Sequence, residues 1–281
     1  MSDQRTAARA GPADSFDPAA GPSMNLVASM RTDQADGLRR LFAGHRQQLV
    51  PVAANAEVGC SGVLLERLSL AFAELGGHAL VVDAADSGPL PHELVDIDLA
   101  ACIERLGPGV SYLAARGLPR RHVDTRGSSA HWLAEVERAS PFADVLIVHA
   151  EARDLCRLLG RREVCPVLQA TLESASLTDA YASMKLLSQR LGLKAFDLMV
   201  GMQAGPKRAQ RVAERLGNCA DNFLGAVLRS YAAIDRDEPL NRPAPPLLSR
   251  LAADQLTGLA GGATLALGLA AAESRHAMSL E

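Results

Sequence analysis

The chain has 281 residues, a formal net charge of −3, 48% hydrophobic and 4% aromatic residues. That length allows one sizeable α/β core in one or two domains, and the near-neutral charge gives no global reason to expect nucleic acid or a membrane surface as partner. Five dispersed cysteines (Cys60, Cys102, Cys156, Cys165, Cys219) show no C-x-x-C or Cys/His metal spacing, and no signal peptide or apolar run of about 18 residues is read, so a protein of the reducing cytoplasm is expected.

Residues 1–30 make up the N-terminal arm. Its first 23 residues are rich in Ala, Gly, Pro, Ser and Asp without apolar periodicity, which predicts disorder, and Met24 is a candidate natural start. Residues 31–45 contain a short amphipathic helix from Thr32 to Phe42, with Asp33 at its N-cap and Ala35, Leu38, Leu41 and Phe42 on one face. Spacing alone reads this first as a helix docked on its own domain and second as a partner-binding element on a tethered arm.

From Leu49 to Asp83 the chain reads strand, tight loop, helix, strand. Leu49 to Ala54 is apolar, Leu64, Leu68, Phe72 and Leu75 recur at helical spacing until Gly76-Gly77, and Ala79 to Val82 form a second buried strand. In such a βαβ unit the loop is where backbone N–H groups and a helix N-terminus receive a phosphate. Laid on the deviant Walker A pattern K-G-G-V-G-K-T of the MinD/ParA class, Asn55 to Ser61 keep Val58 and Gly59. Asn55 stands for the first lysine, Glu57 for a glycine, Cys60 for the lysine that reaches the phosphates and Ser61 for the metal-binding hydroxyl. Sliding the register by one brings Ser61 and Gly62 under Lys-Thr and restores no lysine. Asn55, Glu57, Gly59, Cys60, Ser61 and Gly62 therefore form a candidate degenerate nucleotide loop, with a carboxylate at Glu57 that repels a triphosphate. Hydrolysis of ATP is not expected, and neither ATP nor magnesium is expected as a cofactor.

Asp83-Ala84-Ala85-Asp86-Ser87-Gly88 lies where an open parallel sheet presents its ligand-facing loop, and reads equally as a metal or base site and as an Asp-rich turn. Residues 89–109 are irregular, with a helical piece around Leu99 to Leu106. Then come a strand from Val110 to Ala115 and a helix from His131 to Ala139 carrying Trp132 as a packing anchor. Asp144 to His149 is a buried strand with Val148 or His149 where a working enzyme would place an acidic residue. With no nucleophile, carboxylate partner or metal ligand at readable spacing, His149 reads as structural. A strand from Val164 to Ala170, a helix from Ser176 to Leu187 capped by Thr178, a strand from Phe196 to Met202 and a helix from Pro206 to Leu216 follow. That last helix presents Lys207, Arg208, Arg211 and Arg215 outward, and the segments Phe223 to Leu228 and Tyr231 to Leu240 finish the core. Strands alternating with helices predict a doubly wound, mostly parallel α/β sheet over residues 46–245, followed by an Ala/Leu-rich tail at 246–281.

Three features together resemble the FlhG/FleN family, MinD/ParA-type regulators of flagellar number and placement. They are Asp33-Gln34-Ala35-x-Gly37-Leu38-Arg39 before the first strand, the βαβ unit ending in Ala73-Glu74-Leu75-Gly76, and Leu177-Thr178-Asp179-Ala180-Tyr181 followed by Met184-Lys185. The resemblance implies a MinD-type P-loop fold that binds ATP and magnesium in the family. It also implies that the D-Q-A-x-x-L-R helix, here Asp33, Gln34, Ala35, Leu38 and Arg39, engages the FlhF-type GTPase and stimulates its GTP hydrolysis. It thereby favours the partner-binding reading of that helix. Because Asn55, Cys60 and Val148/His149 depart from the family's ATP-handling residues, a cytoplasmic pseudo-ATPase regulator, at the cell pole or membrane periphery, is the expectation. The alternatives are a weak ATPase that switches between monomer and dimer, and a localisation factor for another polar structure. A homodimer and a basal-body or transcriptional partner stay open.

Overall fold

The computed structural model of the protein describes residues 47–203 and 206–257. The N-terminal arm, the Asp33–Arg39 segment and the end of the tail lie outside the described residues. In chain order the elements are β1 (Gln48–Ala53), α1 (Ser61–Glu74), β2 (Ala79–Asp83), β3 (Glu104–Gly107) and β4 (Val110–Ala114). Then follow α2 (Leu118–Arg121), α3 (Ala130–Ala139), β5 (Val145–Ala150), α4 (Ala152–Leu159) and β6 (Val167–Ala170). The last are α5 (Ser174–Leu191), β7 (Ala195–Met202), α6 (Pro206–Leu224), β8 (Val227–Asp235) and a helix over residues 246–257, called α7.

The strands form one eight-stranded sheet in the order β3-β4-β2-β5-β1-β6-β7-β8. Every pairing is parallel except β3 with β4 at one edge. The central strands are unbroken apolar runs because both of their faces are covered. Alternation along β5 shows how: Leu146 and Val148 enter one core with α3 to α6, while Val145 and Ile147 enter the other with α1 and α7. The fold is thus the doubly wound α/β sheet expected from the sequence.

Residues 246–257 of the assigned tail pack into the second core through Leu248, Leu251 and Ala252. Gln255 donates from this helix to the Asp197 carboxylate and to the Cys165 carbonyl, at 2.9 and 2.8 Å. Asp197, fully buried in β7, also receives Arg229 and Ser230.

Local expectations differ from the structure at several places. Phe223 to Leu228 is not one core segment: Phe223 and Leu224 end α6, β8 starts at Val227, and Phe223 and Val227 are exposed. Leu99 to Leu106 is not a helix but one 3₁₀ turn, Ala100–Cys102, followed by β3, because the Gly107-Pro108-Gly109 turn folds β3 back on β4. Thr178 does not cap its helix: α5 starts at Ser174, and the Thr178 hydroxyl donates back to the Ser174 carbonyl. Helix α6 runs past Gly217 to Leu224, since its apolar positions Ala209, Val212, Ala213, Leu216 and Ala220 keep one face on the core. Helix α4 fills a stretch between two strands for which no element is read from the sequence, burying Leu155, Leu158 and Leu159.

Candidate functional site

The parallel order β2-β5-β1 places three strand ends side by side at the start of α1, above a cavity of about 550 Å³. This is the crevice outside the carboxyl ends of the strands where open α/β sheets take their ligands. Its lining includes Asn55, Gly59, Ser61, Gly62, Asp83 and His149. Further out stand Asp86, Glu151 and Asp179, and no lysine or arginine is among the lining residues.

Asn55, at the end of β1, is buried and turned inward. Its amide nitrogen donates to the carbonyls of Gln169 and Ser176 at 2.8 and 2.9 Å, and its side-chain oxygen accepts the Glu57 N–H at 3.0 Å. The loop is thereby tied to β6 and to the first turn of α5. Glu57 and Gly59 are exposed, and nothing lies within 4 Å of a β-carbon built on Gly59 or Gly62. Cys60, the residue before α1, does not line the cavity: its sulfur lies against Gly201 of β7. Burial pushes its thiol pKa up, which keeps it neutral.

Ser61 opens α1. Its hydroxyl donates to the Gln169 side-chain oxygen at 2.5 Å and lies 3.2 Å from His149 Nε2. The other ring nitrogen, His149 Nδ1, lies 2.8 Å from Asp83 Oδ1. Asp83 also accepts the Tyr112 hydroxyl at 2.9 Å and the Ala85 N–H at 3.4 Å. Burial works to raise the Asp83 carboxyl, but the bonds from His149 and Tyr112 outweigh it and hold the pKa below its ordinary value. Gly88 lets the 84–88 turn close over this carboxylate: a β-carbon there would stand 2.9 Å from it.

The structure therefore gives His149 both the carboxylate partner and the hydroxyl that sequence spacing did not reveal. Asp83 and His149 are register partners across β2 and β5; Asp83 is the last residue of β2 and His149 the last but one of β5. The Asp83–Gly88 stretch resolves accordingly: Asp83 is a buried hydrogen-bond acceptor, whereas Asp86 is at the surface, pairing with Arg120 at 2.8 Å. Among the described residues no three His, Cys, Asp or Glu side chains are grouped to hold a metal ion, and no helix is long and apolar enough to cross a membrane.

Comparison with known proteins adds a relative and a fold. No family model matches the chain. The antiactivator FleN of Pseudomonas aeruginosa is 26% identical over 223 residues, spanning 73% of this chain and 79% of that protein. A cobyrinic acid a,c-diamide synthase from Mycobacterium smegmatis, solved with an ATP analogue and magnesium, matches with a TM-score of 0.55 and 15% identity, over 77% of this chain and 97% of that one. The MinD cell division protein of Aquifex aeolicus matches with a TM-score of 0.49 and 14% identity, over 76% and 97%. The chain is thus similar to FleN, in line with the resemblance in its sequence, and its doubly wound sheet shares the fold of the synthase.

Proposed function

We propose that this FleN homologue is a nucleotide-independent regulator of flagellar number and assembly, a pseudo-ATPase that acts on an FlhF-type GTPase through its N-terminal segment. The observation that carries the scaffold half of this reading is the donor set of the cavity. A magnesium triphosphate needs cationic donors, and this cavity is lined by Asp83, Asp86, Glu151 and Asp179 with no lysine or arginine among its lining residues, the nearby Arg120 being committed to Asp86 and Glu151. The residue at the phosphate-reaching position, Cys60, is a neutral thiol packed against Gly201. At the end of β5 an imidazole, not a carboxylate, faces the Ser61 hydroxyl that would otherwise hold the metal. These residues do not fit magnesium and ATP.

The partner half rests on the resemblance of Asp33, Gln34, Ala35, Leu38 and Arg39 to the family's GTPase-engaging helix. In this reading Leu38 and Phe42 supply the apolar grip and Gln34 reaches toward the GTPase's catalytic water. Two measurements test the proposal. Calorimetry with ATP and magnesium is expected to give no saturable binding at millimolar nucleotide, and a micromolar dissociation constant would make the protein a MinD-type switch instead. Single-turnover GTP hydrolysis by the partner is expected to accelerate with a peptide covering residues 24–46, and to stay unstimulated with Leu38→Asp, which puts a charge on the gripping face. Stimulation by the chain lacking those residues, but not by the peptide, would place the active surface on the scaffold.

A further inference from the structure

We propose that Ser61, His149 and Asp83 form a nucleophilic hydrolytic site for small carboxylic esters that are neutral or positively charged. The idea is independent of the regulatory reading, which uses none of these three side chains chemically.

The geometry is that of a hydroxyl, a base and an orienting carboxylate in line, at 3.2 and 2.8 Å. A ring nitrogen facing an ionised carboxylate carries the proton, so Nδ1–H donates to Asp83 and Nε2 is left as the acceptor beside Ser61. Asp83 cannot swing away, because Tyr112 holds its second oxygen. The amide of Gln169 completes the arrangement. Its Nε2 is buried without a partner while its oxygen takes the Ser61 proton. Turning that amide over makes it a donor to Ser61 Oγ and releases the hydroxyl proton toward His149.

The site has room and a place for charge. Ser61 and His149 both line the cavity, and Gly59 and Gly62 leave its floor open. In the first turn of α1 the N–H groups of Gly62 and Val63 make no backbone hydrogen bond, since helix geometry gives them no acceptor. They flank the nucleophile as donors for a developing oxyanion. Of the outer carboxylates, Asp86 and Glu151 are paired with Arg120, and Asp179 is the one that disfavours an anionic substrate.

In the proposed reaction Ser61 Oγ bonds to the ester carbonyl carbon as its proton passes to His149 Nε2. Collapse of the tetrahedral intermediate breaks the carbon–oxygen bond to the alcohol, which leaves with that proton. Water then adds to the acyl-serine, gives a proton to His149, and the second collapse returns the Ser61 hydroxyl and a carboxylic acid. Only water is consumed besides the ester.

The test treats the full-length protein with an alkyl fluorophosphonate and maps the adduct by peptide mass spectrometry. One adduct, on Ser61, is expected in the wild-type chain, a readout that does not depend on any variant folding. Ser61→Ala should remove it, and His149→Gln should slow labelling by about 100-fold or more. Hydrolysis of 4-nitrophenyl acetate should exceed that of the anionic 4-nitrophenyl hydrogen glutarate by roughly tenfold beyond their ratio with free imidazole. No adduct, an adduct on another residue, or labelling unchanged in Ser61→Ala would overturn the assignment.

Discussion

Cys60 Sγ lies so close to Gly201 that a β-carbon built on that glycine would come within 2.5 Å of the sulfur. Gly201 sits in the regular strand β7, so the contact, not an unusual backbone angle, reserves the position for glycine. Gly201→Ala should therefore force the thiol or the start of α1 to shift, at a cost of about 1–3 kcal/mol. Removing the sulfur makes room, so Cys60→Ala combined with Gly201→Ala should regain most of that loss. Urea unfolding of the two single variants and the double variant measures the coupling; equal losses for Gly201→Ala in both backgrounds would show that the contact is not what limits the site.

Arg67 of α1 is 1% exposed, and its guanidinium donates to the carbonyls of Arg242, Glu238 and Pro239 at 3.0, 3.0 and 2.9 Å. A planar fork can serve three carbonyls at once, whereas an ammonium on a flexible stem cannot. Arg67→Lys is expected to destabilise the fold by about 2–4 kcal/mol, from the charge-assisted bonds lost by a buried cation. Because those carbonyls belong to the 238–242 turn, limited proteolysis should begin there in the variant. An unchanged urea midpoint would mean that water replaces the guanidinium at no cost.

How much of this was legible in the sequence depends on whether the signal is local. The strands β1, β2 and β5 show themselves as apolar runs because burial on both faces dictates composition, and the loop between β1 and α1 is marked by Gly59, Ser61 and Gly62. The edge strand β3 was misread as helical because Glu104, Arg105 and Leu106 are exposed, so no buried period distinguishes strand from helix there, whereas its partner β4 was read as a strand. The Gly107-Pro108-Gly109 turn was the available signal. The Ser61–His149–Asp83 chain was not legible: its members are 88 and 66 residues apart, and only the β2-β5-β1 strand order brings them together. A histidine next to the end of one buried strand and an aspartate ending another are the clue, once those strands are taken as neighbours.

Cys165 offers a pH test of the region around Asp197. Burial raises its thiol pKa from the ordinary 9.0, the Asp197 carboxylate adds to the effect and Arg229 opposes it, leaving a value pushed up to about 12. A group whose folded pKa is raised contributes stability that is fully present below its unfolded pKa and is lost as pH rises through the folded one. Unfolding free energy should thus fall between about pH 9 and 12, by up to about 1.4 kcal/mol per pH unit from this thiol. The Tyr112 hydroxyl, pushed up by burial and by Asp83 from its ordinary 10.0, adds a loss of the same sign that begins near pH 10 and overlaps that of Cys165. Cys165→Ala should flatten the slope between pH 9 and 12, and at pH 8 a maleimide should modify the exposed Cys219 well before Cys165. An identical alkaline slope in Cys165→Ala would assign the loss to other groups.

Restoring the missing lysine alone should not restore nucleotide binding. In Cys60→Lys the new side chain starts where the thiol now meets Gly201, so its stem has to leave that contact and turn toward the cavity. There it meets a wall containing Asp83, Asp86, Glu151 and Asp179, of which Asp83 is already committed to His149 and Tyr112 and Asp86 and Glu151 to Arg120. One ammonium added beside these carboxylates joins their ion-pair and hydrogen-bond set before it serves a triphosphate. Asn55, at the first lysine position, is also unavailable, because its amide holds the carbonyls of Gln169 and Ser176. Groups that act as a unit fail together when any is absent, so ATP affinity for Cys60→Lys is expected to remain weaker than millimolar and turnover to stay at background. Calorimetry with ATP and magnesium decides it: micromolar binding by this single variant would show that the rest of the cavity is a working nucleotide site and that Cys60 alone disables it.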